Sequence, residues 1–105
     1  TMDEGQFRKK AGAELEHLAK GLDGFAELTV DLANEILTLE FEDGERFVAN
    51  LQGPTRQIWF AAQYQAAHYD FDAAKSAWCD SKTGEALRAR VSRDVSGKLK
   101  KQVAL

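Results

Sequence analysis

The apolar residues of this chain change their spacing twice, and that change restricts the fold more than any other feature. Between residues 7 and 25, Phe7, Ala11, Leu15, Leu18, Leu22 and Phe25 recur at steps of three and four, the stripe of an amphipathic helix. From residue 28 the step becomes two. Leu28, Val30 and Leu32, then Leu37, Leu39 and Phe41, then Phe47, Ala49 and Leu51 alternate with mostly polar neighbours, as half-buried strands do. From residue 87 the helical step returns, with Leu87, Val91, Val95 and Leu99 four apart.

The punctuation fits this order. The first helix is expected to end near Gly24, and Gly12 and Gly21 weaken it by roughly 1 kcal/mol each relative to alanine, so packing must hold it. Asn34-Glu35 and Glu42-Asp43-Gly44-Glu45 are expected turns, the second with the Asp-Gly pair of tight hairpins. Gly53-Pro54 breaks the third strand, because proline has no amide for the ladder. A fourth strand over 57–62, a shorter fifth over 68–71 and a sixth over 76–79 follow. Residues 81–85 (Ser-Lys-Thr-Gly-Glu) supply capping residues before the last helix. A meander of strands is antiparallel. With both helices on one of its faces, the expected fold is a two-layer α/β sandwich of the α+β class, with five or six strands. Leu15, Leu18, Leu22, Leu37, Leu39, Phe41, Ile58, Phe60, Leu87 and Val91 form the expected core. At 105 residues one core fits and two do not, so residues 1–105 are read as one domain. Residues 1–4 are expected to be a disordered or expression-derived start, since Thr1 precedes Met2.

Several function classes are disfavoured. A formal charge of -3 argues against nucleic-acid binding, and the basic last segment lacks interleaved aromatics for stacking on bases. No apolar run is long enough for a membrane span, and no leader resembles a signal peptide. The single cysteine, Cys79, has no internal disulfide partner, so a reducing, cytoplasmic setting is expected. No nucleophile, paired acid and base, or phosphate loop is present, and no catalytic residue is assigned. His17 and His68 are read as structural or surface residues, and one of Trp78 and Cys79 is expected to be buried. Charge is unevenly spread: residues 27–46 hold seven acids and one base, and residues 82–101 hold seven bases and two acids. One side of the molecule should be negative and the last helix positive.

The stretch Asn50-Leu-Gln-Gly-Pro-Thr-Arg-Gln-Ile-Trp-Phe-Ala61 raises a more specific question. With a period of two, Ile58 and Phe60 face the core, and Gln57, Trp59 and Ala61 face outward. That places Trp59 in water beside the amides of Asn50 and Gln52. A large ring in a polar field suggests a contact surface.

The pattern Asn50-x-Gln52-x-Pro54-x-x-Gln57-Ile58-Trp59-Phe60-Ala61 resembles the signature strand pair of the frataxin family. Tyr69-Asp70-Phe71, Trp78, Gly84 and Leu87 fall where that family has its aromatic-Asp-aromatic strand, second tryptophan, glycine and closing helix. The resemblance covers essentially the whole chain, and the bacterial form is the closer fit. It implies a regulator of iron–sulfur cluster assembly that binds the cysteine desulfurase and its scaffold protein and binds iron weakly through carboxylates. Asn50, Gln52, Gln57 and Trp59 would form the partner-binding face. Glu16, Asp23, Glu27 and Asp31 would be the iron ligands, with Glu14 and His17 as further donors. The acidic ridge is thinned, because Ala19, Lys20 and Gly24 stand where acids are expected, and scattered surface carboxylates bind such cations weakly. The expected state is a monomer, with oligomers possible in the presence of iron. The alternative is an iron-storing or iron-oxidising protein that pools weak carboxylate sites in assembled copies.

Overall fold

The computed structural model describes residues 2–105. Its elements are α1 (Glu4–Leu22), β1 (Leu28–Ala33), β2 (Ile36–Phe41), β3 (Arg46–Gln52), β4 (Gln57–Ala62), β5 (Gln65–Asp72), β6 (Ala77–Asp80) and α2 (Leu87–Leu99). The six strands form one sheet in chain order, and every neighbouring pair is antiparallel. This is the expected two-layer α+β sandwich, with six strands.

Several element ends differ from expectation, β6 among them, at Ala77–Asp80 and not 76–79. Asp3 and Glu4 do not belong to an unstructured start. The Asp3 carboxylate accepts the Gln6 amide at 2.8 Å, and the Gln6 side chain accepts the Asp3 amide at 3.0 Å, a capping box that satisfies two donors at the opening of α1. Thr1 lies outside the described residues. At its other end α1 stops at Leu22, and Asp23 is its C-cap. Strand β5 begins at Gln65, three residues early, because the turn before it is only Gln63-Tyr64. Finally, α2 has no side-chain cap at Ala86. The Asp80 carboxylate accepts the amides of Lys82 and Thr83, and the Thr83 hydroxyl accepts the Glu85 amide, so the expected capping residues build a turn.

All ten expected core residues are buried, joined by Phe7, Phe47, Tyr69, Trp78 and Val95 among others. Phe47 packs edge-to-face against Phe41 and Phe60, with ring centroids 4.7 and 6.1 Å away, and each fully buried side chain of this size stabilises by roughly 1.5–3 kcal/mol. Trp78 and Cys79 are both buried, where one was expected. After α2 the chain turns at Lys100, with φ +56, and runs back along the helices. Ser96 Oγ accepts the Val103 amide at 3.0 Å, Ser92 Oγ accepts the Leu105 amide at 3.0 Å, and Val103 is buried.

Candidate functional site

The outer face of the sheet, away from the helices, carries the residues of the 50–61 stretch. Register places Gln52 opposite Gln57, and Asn50 opposite Trp59. The four expected side chains therefore occupy two adjacent rows on one face. Trp59 is half-buried, not immersed in water. On its β5 side it faces His68, and the two rings stack with centroids 4.2 Å apart and planes 8° from parallel. The indole N–H donates to Gln57 Oε1 at 3.0 Å, and Gln57 Nε2 donates to Asp70 Oδ1 at 3.0 Å. The polar edge of the tryptophan is thus satisfied within the chain. Its orientation is fixed by a relay through the Trp59, Gln57 and Asp70 side chains.

The expected iron ligands are arranged differently. Glu16, Asp23 and Asp31 are exposed and unpaired among the described residues. Glu27 forms an ion pair with Lys101, whose hydrogen bond holds the carboxyl below the usual glutamate range. The second oxygen, Glu27 Oε1, is buried with no hydrogen-bond partner. Glu14 is taken by Arg88 in a two-point contact at 2.9 and 3.0 Å, and His17 Nε2 lies 2.9 Å from the Leu105 carbonyl oxygen. Both residues face α2 and the C-terminal tail, away from the other acids. Among the described residues no three His, Cys, Asp or Glu side chains gather in a metal-holding geometry. These donors fit single, water-rich contacts and not an enclosed site.

The model of the Frataxin-like domain matches residues 1–101 of the chain. The chain belongs to the frataxin family. It is 39% identical over 74 residues to the iron-sulfur cluster assembly protein CyaY of Thioalkalivibrio sulfidiphilus, a match covering 70% of this chain and 69% of that one. It is 33% identical to CyaY of Variovorax paradoxus, covering 90% and 89%. Among solved structures it is similar to frataxin from Psychromonas ingrahamii, with a TM-score of 0.90 at 25% identity, covering 98% of this chain and 97% of that one. Trimeric frataxin from Saccharomyces cerevisiae complexed with ferrous superposes with a TM-score of 0.76 at 26% identity, covering 88% and 87%. The family resemblance and the fold it implies both hold.

Within this frataxin-family fold, much of the positive charge expected on the last helix is paired. Arg88 pairs with Glu14, Arg90 with Asp94, Arg93 with Glu85, Lys98 with Asp43 and Glu45, and Lys101 with Glu27. Arg88, Lys98 and Lys101 hold acids far away in sequence, on α1, around the β2–β3 turn and just before β1, whereas Arg90 and Arg93 pair with acids close by. The Lys98 hydrogen bond also holds the Asp43 carboxyl below its usual range. His68 and Asp70 are the outer-face residues that sequence reasoning did not place beside Trp59 and Gln57. The signal was available in part, since a two-residue turn at Gln63-Tyr64 places His68 opposite Trp59. No helix among the described residues is long and apolar enough to cross a membrane.

Proposed function

We propose that this frataxin-family chain is an iron-binding accessory and regulatory protein of iron–sulfur cluster assembly, which docks on the cysteine desulfurase and scaffold complex through the outer sheet face. The observation that carries this reading is the row Asn50, Trp59 and His68 across β3, β4 and β5, with Gln52 and Gln57 in the next row. An aromatic anchor surrounded by amides is the composition of a binding hot spot, where truncating one residue costs on the order of 2 kcal/mol or more. The unpaired acids Glu16, Asp23 and Asp31 lie on the flank of α1 turned away from α2 and on the exposed β1 edge. They would attract a partner with a basic rim and speed its encounter in a salt-dependent way.

Iron enters this reading as cargo, held weakly at Glu16, Asp23, Glu27 and Asp31. Glu27 must first release Lys101. The chain acts as a monomer and lends carboxylates to iron without catalysing a reaction of its own. The second reading, storage or oxidation of iron by assembled copies, draws support from the trimeric yeast relative complexed with ferrous, but the thinned ridge gives each copy few donors to pool. The test is a pull-down with the desulfurase and scaffold of the same organism, together with sedimentation under ferrous iron. Capture of a monomer supports docking. Failure to capture, with iron-driven assembly, supports storage.

A further inference from the structure

Among the described residues three large hydrophobic side chains are exposed: Leu32, Ile36 and Tyr64. Leu32 alternates with the inward residues Leu28 and Val30 of β1, at the rim of the core, and Tyr64 lies in the β4–β5 turn. Ile36 alone stands on the outer face of the sheet, 42% exposed. Register carries one row across five strands there: Ala33, Ile36, Asn50, Trp59 and His68. Asn50 therefore sits between Ile36 on one side and Trp59 on the other. With neighbouring strands about 4.8 Å apart, the isoleucine and tryptophan backbones are about 10 Å from each other.

This exposure is not looseness. Ile36 follows the two-residue turn Asn34-Glu35, both left-handed, with φ +55 and +65, a backbone that is unfavourable at a glutamate. The turn is held from two sides: the Glu35 carboxylate pairs with Arg8 on α1, and the Glu35 carbonyl accepts the Leu51 amide at 3.2 Å. Threonine has the same branching and strand propensity without the apolar surface, so the ladder alone does not call for isoleucine here. The surrounding charge indicates what covers it. The strands place Asp31, Glu40, Asp70 and Asp72 on this face against Arg46, and Arg46 is itself paired with Glu40. A second copy docked on the same face would set acid against acid, whereas a partner with a basic rim meets complementary charge. We propose that Ile36 is a second apolar anchor of the partner-binding face, engaging the same basic-rimmed protein partner as Trp59. That partner's surface would carry two apolar points about 10 Å apart, with a polar group between them for the Asn50 amide. This rests on the docking reading above and extends the contact from β4 to β2.

An anchor has a signature that a structural role for Ile36 does not share, namely loss of docking without loss of stability. The experiment compares Ile36→Thr, Ile36→Val and Trp59→Ala for melting temperature and for affinity to the desulfurase–scaffold complex. Ile36→Thr keeps the branched shape and removes the apolar contact, so it should melt like wild type and bind about tenfold more weakly. Ile36→Val keeps the apolar contact and should lose far less. If Ile36→Thr binds as tightly as wild type while Trp59→Ala loses affinity, the second anchor is overturned and the docking reading stands. If neither variant changes binding, the docking reading itself has failed and this inference falls with it. A large fall in the melting temperature of Ile36→Thr would make the isoleucine a residue of the fold and overturn the proposal. If wild type self-associates in sedimentation and Ile36→Thr does not, the face holds a second copy of the chain, and the proposal is likewise overturned.

Discussion

Trp59 and His68 lie face to face across the β4–β5 pair, with centroids 4.2 Å apart and planes 8° from parallel. One face of the indole is thereby covered by its own chain, and the ring is held in one orientation. Trp59→Ala should lower affinity for the assembly complex at least tenfold, about 1.4 kcal/mol. Its effect on stability should be limited to the stack, about 0.5–1.5 kcal/mol. His68→Ala should show the same small stability loss, which thermal unfolding of both variants will check. A collapse of the fold in Trp59→Ala with docking preserved would reverse the assignment of faces on β4.

Leu39 is buried in the middle of β2, opposite Val30 and Phe47. Leu39→Ala should cost roughly 2–5 kcal/mol through the cavity it leaves. An unchanged denaturant midpoint would contradict the register.

The Glu14–Arg88 pair is asymmetric: the glutamate side chain is 8% exposed and the arginine 49%. Arg88→Ala leaves a buried carboxylate without its partner and should cost about 1–3 kcal/mol. Removing the acid instead leaves an arginine already half in water, so Glu14→Gln should cost less. Equal losses in urea unfolding would mean that the desolvation argument is wrong for this pair.

Asp80 gives a pH dependence of definite sign. Burial pushes its carboxyl upward, but the amides of Lys82 and Thr83 outweigh that and hold it below the usual aspartate range. A carboxylate with a depressed folded value contributes stability above its unfolded value, near about 3.9. That stability is lost as pH falls through the lower folded value. Asp80→Asn should therefore be less stable than wild type at neutral pH and converge on it in acid. Parallel curves from neutral pH to about pH 2 would remove Asp80 from the acid transition.

Lys101 and iron should compete for Glu27. Lys101→Ala frees that carboxylate, so added ferrous iron should broaden the amide resonances near Glu27 at lower iron concentrations than in wild type. Broadening around His68 or α2 that leaves Asp23, Glu27 and Asp31 sharp would reject the ridge as the iron site.

Where apolar periodicity was strong, local sequence and global fold agree. Leu15, Leu18 and Leu22 on α1, and Leu37, Leu39 and Phe41 on β2, have one spacing and one face each. Strand β5 was less legible, because Gln65-Ala66-Ala67 carries little apolar contrast and its turn uses Gln-Tyr where Asn-Gly would have signalled a hairpin. The cap of α1 was missed because Asp3 and Gln6 precede the first apolar residue of the stripe. Charge was the least legible property. Residues 43 and 98, or 14 and 88, meet only after the helices are laid on the sheet, so runs that look like separate negative and positive faces become ion pairs. The outer face was half legible: Asn50, Gln52, Gln57 and Trp59 follow from alternation, whereas His68 and Asp70 depend on the exact register of a turn.

The chain order of the sheet, with one helix at each end of the sequence, bears on how the protein is made. During synthesis all six strands leave the ribosome before residues 87–99 of α2 do. Until that helix emerges, the inner side of the meander has only α1 to cover it, and Phe60 and Tyr69 lack their α2 neighbour Arg90. At translation speeds of about 5–20 residues per second, the nascent sheet spends on the order of a second as an adhesive intermediate. A ribosome stall within α2 would prolong that interval and expose the nascent chain to chaperones or to aggregation.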